Sequence, residues 1–232
     1  EELSSVEQHS VVEYHTLTTP RGGQFKLVLP DGSRVWLNAE SSIRFPSAFA
    51  IEERRVEVRG EAYFEVAHQP ERPFFVAMKD HPGFPEGMEV EVLGTHFNVM
   101  AYQDEQMIAT TLIEGSVKFG HLNDVSGFAV LTPGQQALAL ENNKLEINKV
   151  DLFEVTAWRD GYFVFNDEDI ESIMRKLARW YNVDVTYSGN LTYRAFSGMI
   201  SRYENISRAL EKFELTGAVS FDVKDNTITV KP

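Results

Sequence analysis

The chain predicts a mainly β protein, an antiparallel sandwich or a short solenoid-like stack, followed by a small α+β domain of two βαβ units. Three observations carry this. From Arg21 to about Val150 apolar residues recur with a period of two. Beyond Val150 the period becomes helical, with Ile170, Ile173, Met174, Leu177 and Tyr181 on one stripe. A shift of 36 residues then maps Phe163, Ile170, Met174, Leu177, Val183 and Val185 onto Met199, Ile206, Leu210, Phe213, Val219 and Phe221.

Taken in order, residues 1–18 are polar and read as a tether ending in an edge strand. Residues 19–150 form the β domain. Its first signal is a hairpin: Phe25, Leu27 and Leu29 lead into Pro30-Asp31-Gly32-Ser33, and Val35 and Leu37 return. Gly32 supplies the positive φ that such a turn needs. Val56, Val58, Gly60, Ala62, Phe64 and Val66 share one parity and charged residues the other, which marks a half-buried strand bending at Gly60. Val90 and Val92 are even while Phe97, Val99 and Ala101 are odd, so a β-bulge is predicted near Gly94-Thr95.

Residues 155–232 form the small domain. Helices are predicted near Asp167–Tyr181, capped by Asn166 or Asp167, and near Asn205–Leu215, capped by Asn205. Strands are predicted at Val183–Tyr187 and Phe196–Ile200, and a hairpin turning at Asp225-Asn226 joins Val219–Val223 to Thr227–Val230.

Composition narrows function. A 43% hydrophobic, 12% aromatic chain of 232 residues is a folded protein. Its net charge of −13 opposes nucleic-acid binding, which depends on Lys and Arg. The absence of cysteine excludes disulfides and thiolate metal sites. No stretch approaches the roughly 18 apolar residues of a membrane span. Opening on Glu1-Glu2-Leu3, the chain reads as an excised fragment.

Catalytic chemistry finds no footing. Glu61 and Glu65 share a strand face, but four residues of strand hold them about 13 Å apart, beyond a glycosidase pair. They read as partners of Arg55- and Arg59-type neighbours on a solvated face. None of the histidines His9, His15, His68, His81, His96 and His121 stands at a ligand spacing from another; His81 and His96, flanking the Gly83–Gly87 loop, are the pair to inspect. Nucleophile elbows and phosphate loops are missing. Asn190-Leu191-Thr192 and Asn205-Ile206-Ser207 fit a glycosylation pattern, although Asn205 is better placed as a cap. Trp36, Trp158, Trp180, Tyr162 and Tyr193 are the aromatic candidates for a sugar platform. Trp180 ends a helical stripe and reads as core, whereas Trp36 is expected to face outward or into a second layer.

Three blocks organise the first half: Leu29-Pro30-Asp31-Gly32-Ser33-Arg34-Val35-Trp36-Leu37-Asn38, Gly60-Glu61-Ala62-Tyr63-Phe64-Glu65-Val66 and Val92-Leu93-Gly94-Thr95-His96-Phe97-Asn98-Val99. In order and spacing they resemble the periplasmic part of FecR-type anti-sigma factors, especially the Bacteroidetes branch. The 36-residue repeat, with its lead-in Ala157-Trp158-Arg159-Asp160-Gly161-Tyr162-Phe163-Val164-Phe165, resembles the small secretin-and-TonB amino-terminal domain that such proteins carry at their carboxyl end.

The resemblance implies the periplasmic signal-receiving region of a single-pass inner-membrane regulator, without catalysis or cofactor. Its partners would be the signalling domain of an outer-membrane TonB-dependent transporter and, through a cytoplasmic segment outside this chain, an extracytoplasmic-function sigma factor. Two βαβ units would leave strand edges open at Phe196–Ile200 and Thr227–Val230. That makes Phe196, Gly198, Ile200, Thr227 and Thr229 the candidate partner-binding residues. The alternative is a periplasmic glycan-binding β module built on Trp36 and Tyr63.

Overall fold

The computed structural model describes residues 12–122, 127–140, 144–189 and 195–232. His9, Val11, the Asn190 triplet and Tyr193 lie outside them. Thirteen strands make one sheet: β1 (Tyr14–Thr18), β2 (Phe25–Val28), β3 (Arg34–Leu37), β4 (Ser42–Pro46), β5 (Arg54–Glu65), β6 (Phe74–Met78), β7 (Met88–Val92), β8 (His96–Ala101), β9 (Met107–Glu114), β10 (Val117–His121), β11 (Ala129–Leu131), β12 (Gln135–Leu140) and β13 (Leu145–Lys149). It is neither two separate sheets nor a stack of coils, but a nearly closed sheet around one core.

Strand β5 makes this closure. Its first half pairs with β4 and β6, its second half with β3 and β8. The change of partners falls at Gly60, where φ is +80° and the backbone presses on Ser41. The alternation read from the sequence holds, since Val56, Val58, Ala62, Phe64 and Val66 are all buried. Pairing is antiparallel except between β5 and β6, which run parallel. Arg54, fully buried, braces their connection. It donates from Nη1 to Asp31 Oδ2 and Ala67 O, both at 2.8 Å, and from Nε to Arg72 O at 3.0 Å. The β2–β3 hairpin forms as predicted, with Gly32 at φ +86° and Asp31 accepting from Ser33 N at 3.0 Å.

The parity change near Gly94 has another cause than a bulge there. Strand β7 lies between β6 and β10, and β8 between β5 and β9, so residues 93–95 carry the chain from one half of the sheet to the other. The register irregularity falls later, between His96 and Phe97.

The carboxyl-terminal part has its own core. Helix α1 (Leu152–Thr156) and a 3-10 turn (Ala157–Asp160) lead into β14 (Tyr162–Asp169), α2 (Ile170–Tyr181), β15 (Asp184–Tyr187), β16 (Ala195–Ser201), α3 (Ile206–Glu214), β17 (Ser220–Lys224) and β18 (Thr227–Lys231). The strand–helix–strand order occurs twice, as expected, but these are not βαβ units sharing one sheet. Strand β14 pairs antiparallel with β16, while β15, β18 and β17 form a second sheet. Each helix thus connects two sheets, because its apolar stripe covers both at once.

The helix cap is Asp169, whose carboxylate accepts from Ser172 N at 2.9 Å, not Asn166 or Asp167. Those two lie in a bulge between Phe165 and Glu168, with Asp167 at φ +51°. The 36-residue shift sets Phe163, which is buried, against Met199, which is 55% exposed, so the two are not equivalent; in the sheet Phe163 pairs with buried Ile200. Asn205 caps α3 as predicted, accepting from Arg208 N at 3.0 Å.

Candidate functional site

The two cores meet along one flank of α2. Its apolar stripe faces the small core, which leaves Arg175 and Arg179 on the other flank, toward the connection between β8 and β9. Arg179 Nη2 donates to Asp104 Oδ1 at 2.6 Å and Glu105 Oε1 at 2.8 Å, and Arg175 Nε donates to Glu105 Oε2 at 3.1 Å. The Arg179 guanidinium lies 3.9 Å from the centre of the Tyr102 ring, and the Tyr102 hydroxyl donates to Ala39 O at 2.8 Å. Burial pushes the Tyr102 phenol well above its usual value. Burial alone would lower Arg179, but the hydrogen bond to Glu105 and the charges around it leave it raised. Gly22 N donates to Arg179 O at 2.8 Å, tying the β2 lead-in to the same helix.

A second chain of contacts runs through Arg202. Its Nη1 donates to Asn38 Oδ1 at 2.8 Å, and its guanidinium centre lies 4.7 Å from the Trp180 ring centre and 4.6 Å from that of Phe163. Burial pushes this guanidinium below its ordinary value, with Glu61 pulling the other way. Asn38 Nδ2 donates to Glu61 Oε2 at 2.7 Å, and Asn98 Nδ2 to Glu61 Oε1 at 3.0 Å. Trp158 Nε1 donates to Asn98 Oδ1 at 3.3 Å, and Trp180 Nε1 to Arg202 O at 2.8 Å. Glu61 is therefore held by amides at the junction, not by an arginine on a solvated face.

Beside this network opens a cavity of about 700 Å³. Tyr162 and Val164 of β14, Glu154 of α1, Glu171 of α2 and Met107 and Ala109 of β9 line it. That volume lies within the range of ligand and peptide sites.

The sequence-derived candidates divide. Thr227 and Thr229 stand on β18, the middle strand between β15 and β17, so no open edge exists there. Their strand's alternation had marked a sheet, but only long-range pairing decides centre from edge. Phe196 and Ile200 point into the small core, and Gly198 is exposed with no atom within 4 Å of an added Cβ. Among the described residues β16 pairs only with β14, which leaves each of these two strands one open flank.

Trp36 and Tyr63 are adjacent, with ring centres 5.6 Å apart. Lys26 lies 4.4 Å from the Trp36 ring centre and Arg159 lies 3.8 Å from that of Tyr63, itself buried. Burial pushes the Tyr63 phenol up, against the pull of Arg159. Cations thus occupy the faces that a sugar would stack on.

Glu65 accepts from Arg34 Nε at 2.6 Å and lies 3.9 Å from Arg159 Nη1. Arg55 pairs with Glu53 and Glu89, and Arg59 with Asp80. His81 is buried with Nε2 3.0 Å from Tyr102 O, while His96 faces Glu114 at 3.4 Å. The described residues hold no cluster of three His, Asp or Glu able to bind a metal. Arg175, Arg179, Arg202, Asn38 and Asn98 were not anticipated, because single polar residues carry no spacing that announces a long-range partner.

A β sheet folded on one shared strand is thus clamped to a small α+β unit through buried arginines. The chain belongs to the FecR family of anti-sigma factors: the family described as FecR protein matches residues 15–118, and FecR, C-terminal matches residues 162–230. Two crystal structures assigned as an anti-sigma factor from Parabacteroides distasonis ATCC 8503, at 1.65 and 2.50 Å resolution, superpose with TM-scores of 0.83 each. They are 27% and 26% identical, covering 93% and 94% of this chain and 98% and 99% of theirs. No curated protein matches the chain. Among the described residues no helix is long and apolar enough to cross a membrane.

Proposed function

We propose that this chain is the periplasmic receiver of an inner-membrane anti-sigma factor. It takes a signal from the signalling domain of an outer-membrane TonB-dependent transporter, and the signal reaches an extracytoplasmic-function sigma factor through a cytoplasmic segment. Residues 1–18 serve as juxtamembrane tether, 19–150 as the FecR-like domain and 155–232 as the domain that meets the transporter. The receiver works by binding, without catalysis or cofactor.

The observation that carries this reading is the open-flanked β14–β16 ribbon, held rigidly on the sheet by Arg175, Arg179 and Arg202. Unpaired strand edges accept partner strands. The contact is placed on this ribbon, at the segment of Phe196, Gly198 and Ile200 or at its neighbour β14. The β2–β3 turn is a poor surface because Asp31 is consumed by Arg54.

Calorimetric titration with the signalling domain of the transporter encoded beside this chain tests the proposal. Binding in the micromolar range is expected, with no response to oligosaccharides. Sugar binding without binding of the signalling domain would replace the receiver by a glycan-binding module.

A further inference from the structure

The ribbon has two outer flanks, and they differ. Arg202 N donates to Gly161 O at 2.9 Å, which makes that pair a hydrogen-bonded one in the antiparallel register. Alternation then assigns the bonds between β14 and β16 to Phe163 with Ile200 and Phe165 with Gly198. The N–H and C=O groups of Tyr162 and Val164 accordingly point away from β16. Tyr162 and Val164 are also among the residues that line the 700 Å³ cavity.

Met107 and Ala109 of β9 line the same cavity and add apolar surface at strand spacing. Charged residues of both signs line it as well. Arg175 and Arg179 are engaged with Asp104 and Glu105, and Lys176 with Glu168. Glu154 and Glu171 line the cavity with no ion pair to any described residue. Arg202, the remaining cation of the lining, is buried and donates to Asn38. Among the described residues the slot thus combines an unpaired strand edge, apolar surface and two carboxylates without an ion pair.

The geometry points to this slot as the docking site of an extended segment of a partner protein. The segment adds to β14 as a strand and carries a lysine or arginine that reaches Glu154 and Glu171. The inference rests on the receiver reading and deepens it: it selects β14 over β16 and fixes the charge of the partner's strand. A proline distinguishes the two strands. Gly198 N–H faces β14, so a proline there would break the ribbon itself, whereas Val164 N–H faces the slot.

The test uses the whole chain and two acetylated peptides of alternating valine and threonine, one with a central lysine and one with a central glutamate. The lysine peptide is expected to bind and to slow amide exchange at Tyr162 and Val164. The glutamate peptide should bind at least tenfold more weakly. Val164→Pro, with its fold checked by circular dichroism, should weaken the lysine peptide roughly tenfold by removing one backbone donor. Glu154→Lys with Glu171→Lys, both surface changes, should reverse the charge preference.

Protection of Met199 in place of Val164, or equal binding of both peptides, would overturn the proposal. The transporter domain separates the two claims. Full binding of that domain to Val164→Pro keeps the receiver and removes the slot. Binding of the lysine peptide alone keeps the slot and removes the transporter.

Discussion

Gly60→Ala tests the fold of β5 on itself. At this position φ is +80°, and an added Cβ would lie 2.4 Å from Ser41 Oγ and 2.8 Å from Glu40 O and Ser41 Cα. The left-handed backbone costs a residue with a Cβ about 1–2 kcal/mol. Ser41 Oγ accepts from Glu61 N at 2.9 Å, and pushing it aside forfeits about 1 kcal/mol. Displacing packed backbone adds about 1–3 kcal/mol. The sum, roughly 3–6 kcal/mol, is a large share of the 5–15 kcal/mol that stabilises a typical domain. Urea unfolding followed by circular dichroism measures it. Two alanine controls bracket the value. Gly32, at φ +86° with no atom within 4 Å, should lose only the backbone term of about 1–2 kcal/mol. Gly198, with no clash and an ordinary φ, should lose nothing. If Gly60→Ala falls within about 1 kcal/mol of Gly32→Ala, close approach to Ser41 does not hold the bend.

Leu177→Asp and Phe213→Asp should each abolish the cooperative melt of the small core, since each buries an unpaired charge, while Leu215→Asp, 87% exposed, should be silent. Arg179→Ala strips a buried cation from Glu105 and should cost about 3–5 kcal/mol, read as accelerated amide exchange along α2. Asn205→Ala should lower the melting temperature of the same unit through loss of a cap worth about 1 kcal/mol. Glu57, held below the ordinary carboxylate range chiefly by the hydrogen bond from Lys79, contributes stability that is present above pH 4.5 and lost as pH falls through its folded value. Glu57→Gln should therefore lower stability at neutral pH, flatten the acid limb of a stability–pH curve and converge with the unchanged chain once Glu57 is protonated.

Much of the β sheet was legible because β5 is half-buried: one charged face against one apolar face writes its register into the alternation of Val56, Val58, Ala62 and Phe64. The hairpin at Asp31-Gly32 and the cap at Asn205 were legible because both are local chemistry. Pairing order was not. Nothing within Thr227–Val230 distinguishes a middle strand from an edge, since the neighbours that decide it are β15 and β17. Nor did the 36-residue repeat give the register of β14 on β16, where Phe163 meets Ile200, because an antiparallel pairing does not follow from a translation along the chain. The junction was silent for a related reason: Asn38, Asn98 and Arg202 are unremarkable in their own segments and acquire meaning only through partners distant in the chain, as when Arg202 meets Asn38.

The doubled membership of β5 has a mechanical side. A sandwich of two independent sheets can be pried open one sheet at a time, but here both halves are riveted to the same strand, so load on either reaches the other. The crease is followed directly by Glu61, whose carboxylate is gripped by Asn38 and Asn98, and Asn38 is gripped in turn by Arg202 at the end of β16. A pull on the small unit therefore travels through Arg202 and Asn38 to Glu61, the first residue beyond the crease. Its load path ends in the one strand that cannot yield without dismantling both halves.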